Sequence, residues 1–391
     1  MNYSNIATIL NSEIVSNSLG NAVTVAEDLT NIVEFGTLIS NLTADQLKTF
    51  QKNLVCGVYN YVLARELELG SFELLRDAVE YGGGLQRIMA EGMFSAQDSH
   101  LLNLVNGQNY LDGKFYGFPL SAKVYESTKA FKVVHSISDD TFSQYFMNAE
   151  DLFKFMGLLE VTERNTIKFE LYQLEKRIIV MLAASAVGNN RYVPLVTTFN
   201  QKILGIASSS DPNWKTLSDL LADRTLCSYF YSFVKSVVMR LKDAMKEVNT
   251  RYNDTTVETF SNDEDIKMVG ISSFFNSEKF LAAPIEFNPA SWNIDIKTIV
   301  AWQNPGTDML PDDTTCETIE IVDNSTTPPS TVTIQNVVGV LYDKFGAGVT
   351  IRRDKTTIEE IGSEGFRNIH HHLAMSWYCD ERLSSVALTL D

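Results

Sequence analysis

The sequence predicts an α+β fold, with helices dominating the first two thirds of the chain and strands the last third. Three patterns carry this reading. Apolar residues recur at steps of three and four over Ala149–Val187, they do so again from Trp214, and after Thr255 they gather in short β-branched runs bounded by turn residues. The chain has 391 residues, 45% of them hydrophobic, and no low-complexity block, so it is expected to fold throughout around a sizeable core. Two domains, or one domain with large insertions, suit that length.

Residues 1–70 read as an N-terminal arm and helix. Leu42-Thr43-Ala44-Asp45 offers a helix cap, and Leu47, Phe50, Leu54, Val58 and Val62 follow at helical spacing. Residues 71–138 change texture. Tyr81-Gly82-Gly83-Gly84, Asn106-Gly107 and Asp112-Gly113 punctuate alternating stretches, and a run returning from Lys114–Phe118 to Val133-Val134 suggests a long two-stranded excursion.

Residues 139–188 hold the longest helical signal. Leu152, Phe155, Leu159, Ile167, Leu171, Leu174, Ile178 and Met181 fall near one face, Asn148 is placed to cap it, and Gly188 sits where a left-handed closing residue belongs. Unbroken, such a helix is ~58 Å long; the weak stretch Val161–Thr166 is where it would split. In residues 189–337, Asp211-Pro212 opens a further helix whose stripe runs through Leu217, Leu221, Phe230, Val234, Val237 and Leu241 to about Asn253. Strands are then expected at Lys267–Ser273, Ile294–Trp302, Thr318–Val322 and Thr331–Tyr342, with an inserted surface hairpin at Pro311–Ser330. Residues 338–391 add strands at Gly348–Arg353 and Ser385–Leu390.

Composition narrows the function. A formal net charge of −17 opposes tracking of a phosphate backbone, because such affinity depends on Lys and Arg releasing condensed counterions. No basic and apolar leader opens the chain, and no apolar run approaches the ~18 residues of a membrane span, so no membrane role and a cytoplasmic site of synthesis are expected. Cys56, Cys227, Cys316 and Cys379 lack CxxC spacing and read as isolated reduced thiols.

The motifs of common chemistry are missing. Gly113-Lys114 has neither the upstream glycine nor the hydroxyl residue of a phosphate-cradling loop, and Gly346-Ala347-Gly348 lacks the third glycine of a dinucleotide turn and reads as a tight hairpin turn. There is no His-Glu-x-x-His helix and no Gly-x-Ser-x-Gly elbow. His370-His371-His372 is the one conspicuous cluster. In a strand only His370 and His372 share a face, and no acidic or Cys partner lies at ligand spacing, so a structural or interfacial role is favoured over a metal. The expectation is a protein that is not an enzyme and holds no cofactor or metal.

The order of elements resembles the Hong Kong 97 fold of tailed-bacteriophage major capsid proteins, small short-tailed phages in particular. The local matches are Val338-Gly339-Val340-Leu341-Tyr342-Asp343 through Phe345-Gly346-Ala347-Gly348 to Arg352-Arg353-Asp354, the final stretch Phe366–Leu390, and Ala130–Val134 leading into Asn148–Phe153. The resemblance implies an N-terminal arm (1–70), an extended loop (71–138), a peripheral domain with a spine helix (139–188), an axial domain with an insertion near 311–330 (189–337), and return strands of the peripheral domain (338–391). It implies self-assembly into pentamers and hexamers as an icosahedral or prolate shell in the virion, formed in the host bacterial cytoplasm. Partners would be a separate scaffolding protein, a portal, and packaged DNA bound without sequence specificity. Asp343, Arg352, Arg353, Asp354, His370 and His372 are the candidate subunit contacts. An encapsulin-like nanocompartment shell, and a hydrolase or lectin with a dispersed site, are the competing readings.

Overall fold

The computed structural model of the chain describes residues 3–12, 24–69, 72, 74–78, 85–90, 102–109, 117, 120–125, 127–138, 145, 149–253, 258–276, 296–303, 319–323, 330–361 and 366–391. These form a mixed helix and sheet protein of two compact units. The first comprises residues 1–83, 126–176 and 348–377, and the second residues 84–125, 177–347 and 378–391.

Three helices open the first unit: α1 (Tyr3–Leu10), α2 (Ile32–Ser40) and α3 (Ala44–Leu69). Thr43 caps α3 as expected, accepting from the Gln46 amide at 3.4 Å while Gln46 Oε1 accepts from the Thr43 amide at 3.1 Å. The predicted stripe is buried at Phe50, Leu54, Val58 and Val62, each contributing about 1.5–3 kcal/mol on removal from water. Strands β1 (Leu75–Ala78), β4 (Thr128–Ser138), β11 (Ala347–Ile361) and β12 (Phe366–Cys379) form a four-stranded sheet in the order β1-β11-β12-β4, with β1 parallel to β11 and β12 antiparallel to β4.

The long helix α4 (Ala149–Gly188) runs 40 residues without a break, about 60 Å at helical rise. Val161–Thr166 does not split it: Leu159 and Ile167 are buried on either side of the weak stretch, with Glu163 between them on the same stripe. Its end is set slightly later than the sequence suggested. Gly188 is helical, and Asn190 (φ 57) takes the left-handed position, with Arg191 N–H donating to the Ala186 carbonyl (2.7 Å) and Asn190 N–H to that of Val187 (3.1 Å). The proposed cap Asn148 lies outside the described residues.

In the second unit, β5 (Tyr192–Pro194), β13 (Ser385–Thr389), β10 (Val337–Asp343), β6 (Ile266–Ile271) and β7 (Ile296–Ile299) make a five-stranded sheet in that order. Helices α5 (Leu195–Lys202), α6 (Leu217–Ala222) and α7 (Arg224–Lys246) supply Phe199, Leu220, Phe230, Val234 and Val238 to a core shared with Met268, Val338, Leu341 and Leu388 of the sheet. The expected single helix from Pro212 is instead two. Thr216 and Asp219 form a capping box that starts α6, and the Asp223 carboxylate accepts from the Thr225 and Leu226 amides to start α7, so Asp211–Asn213 stays a turn. Short helix α8 (Ser272–Phe275) follows β6. Gly270 and Gly339 face each other across β6 and β10, where the Phe275 ring lies against both.

One expected strand run is divided. Asn336 (φ 62) breaks Thr331–Tyr342 into β9 (Ser330–Ile334) and β10. β9 pairs antiparallel with β8 (Ile319–Asp323) as a separate ribbon; the rest of the expected hairpin at 311–330 lies outside the described residues. The late strand-turn-strand is not a hairpin either. Both edges of β10 are already filled, by β13 and β6, so β11 cannot pair with it and joins the other sheet. Between them Lys344–Gly346 forms a 3-10 turn.

Strands β2 (Leu85–Ala90) and β3 (Leu120–Tyr125) pair antiparallel as a two-stranded ribbon. The returning run differs from the expectation: Val133-Val134 belongs to β4, opposite His371 and His370, and not to this ribbon. Tyr81–Gly84 and Asp112–Tyr116 lie outside the described residues.

Candidate functional site

The candidate contact residues separate by burial. Asp343 is 3% exposed, and its carboxylate accepts from the Phe345 amide at 2.9 Å, closing the turn after β10. A side chain spent on that turn offers nothing to a neighbour. Arg352 and Asp354 are exposed on β11, while the side chain of Arg353 lies outside the described residues. His372 is exposed, its Nε2 3.1 Å from the Thr357 hydroxyl, and it lines a shallow groove of about 510 Å³ with Lys132 and Lys355. His370 is half-buried on the same face, 3.4 Å from Glu359.

The middle histidine has the opposite fate. β12 alternates, so His371 points inward, is fully buried, and stacks on Tyr59 of α3 with centroids 4.3 Å apart and planes 5° from parallel. Its Nδ1 is 2.9 Å from the Thr356 hydroxyl of β11. From α4, Glu163 Oε1 reaches within 3.1 Å of His135 Nε2 and 3.8 Å of His371 Nε2, the first contact being an ion-pair approach and not a well-angled hydrogen bond. Burial pushes the Glu163 carboxyl above its usual range, partly offset by His135. Burial also lowers His371 to about 3, helped by repulsion from the neighbouring histidines, so this ring is neutral at pH 7. Helices α3 and α4 and strands β4, β11 and β12 thus meet at one buried polar knot. Glu163, His371 and Tyr59 are closed off from solvent there. Among the described residues no group of three His, Cys, Asp or Glu side chains is placed to hold a metal ion. Sequence reasoning missed this cluster, although two signals were there: strand alternation separates His371 from its neighbours, and Glu163 lies four residues from both Leu159 and Ile167 on the buried stripe.

A second feature concerns the ribbon. No described side chain between Leu74 and Val133 belongs to the buried core. Ile88 (60% exposed), Leu102 (90%), Leu104 (70%), Leu120 (57%) and Val124 (56%) present apolar surface to solvent instead. Scattered exposed apolar residues are ordinary; a concentration of them in one segment makes it a candidate contact surface.

No protein-family model matches the chain, and no curated relative is found for it. Among solved structures, the chain is similar to one in the capsid of Staphylococcus phage Andhra (10% identity, 81% of this chain and 83% of that one, TM-score 0.42). It is likewise similar to one in the capsid of cyanophage P-SCSP1u (11%, 81% and 86%, 0.41) and to one in the asymmetric unit of the bacteriophage PhiM1 mature capsid (9%, 81% and 84%, 0.38). At such scores the likeness by itself assigns neither fold nor function.

Proposed function

We propose that this chain is a major capsid subunit of a tailed bacteriophage with a Hong Kong 97-like plan, forming pentamers and hexamers that close into a shell around the genome. The observation that carries the reading is the ribbon β2–β3 with residues 102–109, where the described side chains of Ile88, Leu102, Leu104, Leu120 and Val124 stay exposed. A two-stranded ribbon is marginal alone in water, so burial against neighbouring copies is what would hold it. The sequence resemblance assigns the same segment to an extended loop. Heterologous contacts that rotate into rings produce pentamers and hexamers, and a scaffolding protein and a portal would direct their closure. On β11 and β12, exposed Arg352, Asp354 and His372, with Arg353 and half-buried His370, are the candidate contacts; Asp343 leaves that set because it is buried.

The test is expression with a cognate scaffold, followed by negative-stain imaging and hydrogen exchange over residues 85–125. Rings or closed particles are expected, with these amides exchanging fast in free subunits and slowly in particles. Monomers under every salt condition, or equal protection in both states, would refute the proposal. Arg353→Glu should lower particle yield while leaving the subunit folded.

A further inference from the structure

We propose that the second unit carries a binding site for a nucleotide phosphate, in the cavity where the chain leaves α4 and passes under α7. This goes beyond the capsid reading and does not rest on it. The cavity is about 370 Å³, in the range of small-ligand sites, and four cations line it: Arg191, Lys202, Arg240 and Arg251. Among the described residues no carboxylate lines it, in a chain with 49 acidic residues against 32 basic ones. Two acids around α7, Asp243 and Asp263, are paired with its lysines. Asp243, one turn from Arg240, is 2.7 Å from Lys246, and Asp263 is 3.2 Å from Lys242 and 3.0 Å from Lys246. Lys202, Arg240 and Arg251 are exposed and form no ion pair among the described residues.

The wall behind them is fixed. Arg191 is buried, donating to the Tyr252 carbonyl (3.3 Å), the Ser385 hydroxyl (2.9 Å) and the Ser185 hydroxyl (2.9 Å). Its full charge stays next to the cavity. The end of α4 contributes a partial negative charge of about one half, but the left-handed turn at Asn190 ties up its last carbonyls, and four full cations outweigh it.

Three rings, Tyr192, Phe233 and Tyr252, share the lining. A bare anion has no use for them, whereas a base stacks on such faces while guanidinium forks take phosphate oxygens in pairs. A glutamate-rich peptide would use the cations and leave the rings idle. The acidity of the whole chain does not forbid the site, because a low-dielectric concavity of one sign of charge focuses its field locally. The shared chemistry is a phosphate ester bearing a base, and its source is either a free nucleotide or a nucleic-acid strand.

The experiment is calorimetric titration of the full-length protein with AMP, inorganic phosphate, a short single-stranded deoxythymidine oligonucleotide, and oligoglutamate. Saturable binding of AMP or the oligonucleotide at one site per chain is expected, with inorganic phosphate at least about tenfold weaker. Arg240→Gln with Arg251→Gln should weaken binding at least about tenfold, and the paired Lys substitutions should retain it within about threefold. Because both arginines are exposed, the unliganded unfolding midpoint should not move; should the Gln pair misfold, Lys202→Gln on α5 gives the same reading. Tighter binding of the oligonucleotide assigns the site to a strand, with a log–log salt slope of about −0.7 per phosphate contacted, and tighter binding of AMP assigns it to a free nucleotide. No saturable binding of either up to about 10 mM, parental affinity in the Gln pair, or oligoglutamate binding as tightly as AMP would overturn the proposal.

Discussion

Replacing His371 with Phe tests the buried polar knot of the first unit. The Phe ring reproduces the shape that stacks on Tyr59 but cannot bond to Thr356 or titrate. At pH 7 both rings are neutral, and the variant loses one hydrogen bond, a destabilisation of about 1–2 kcal/mol. Acid changes the balance. The folded-state value of His371 is about 3, below the ordinary histidine value of 6.5, so the unfolded chain takes up the proton first. Stability that is full above pH 6.5 is therefore lost as pH falls towards 3, by about 1.4 kcal/mol per unit. At pH 4 the parent has lost up to about 3 kcal/mol through this residue, and His371→Phe has lost none of it. The groups facing the ring, Glu163 from α4, His135 from β4, Tyr59 from α3 and Thr356 from β11, remain in both proteins, so the difference between them isolates His371. The two stabilities should cross near pH ~5.5, with the variant the more stable at pH 4. Urea unfolding of unassembled protein from pH 7 to 4, followed by circular dichroism, measures this. A parent–variant difference that does not change with pH would refute the reasoning.

Three further outcomes follow from the same structure. Glu163→Gln should raise the unfolding temperature at pH 8 and not at pH 4, because a carboxyl held above its usual range costs stability as pH rises through its folded value; calorimetry at the two pH values reads the sign. Asp380→Ala should cost about 3–5 kcal/mol in denaturant titration, since it removes the carboxylate that the buried Arg382 contacts at 2.9 and 2.8 Å, and replacing both residues by apolar ones should cost less. Gly270→Ala should cost about 1–3 kcal/mol in the same assay, because its Cβ overlaps the buried Phe275 ring and Gly339 opposite leaves the ring no room to move.

The sequence by itself determined what local physics controls. The stripe of α3, the long helical run of α4, the apolar stripe of α7 and the β-rich end follow from spacing, because apolar period acts over one or two turns. It also separated His371 from His370 and His372, since strand alternation is a local rule. What only the tertiary structure decided is pairing. Whether Val338–Asp354 closes as a hairpin depends on β13 and β6 having filled both edges of β10, and those strands lie roughly 45 residues later and 70 earlier in the chain. The buried knot needed β4, β11, β12, α3 and α4 to converge, and the cationic cavity needed the ends of α4 and α5 to meet α7. In both places the determining quantity is a distance between residues far apart in the chain, which neither composition nor period encodes.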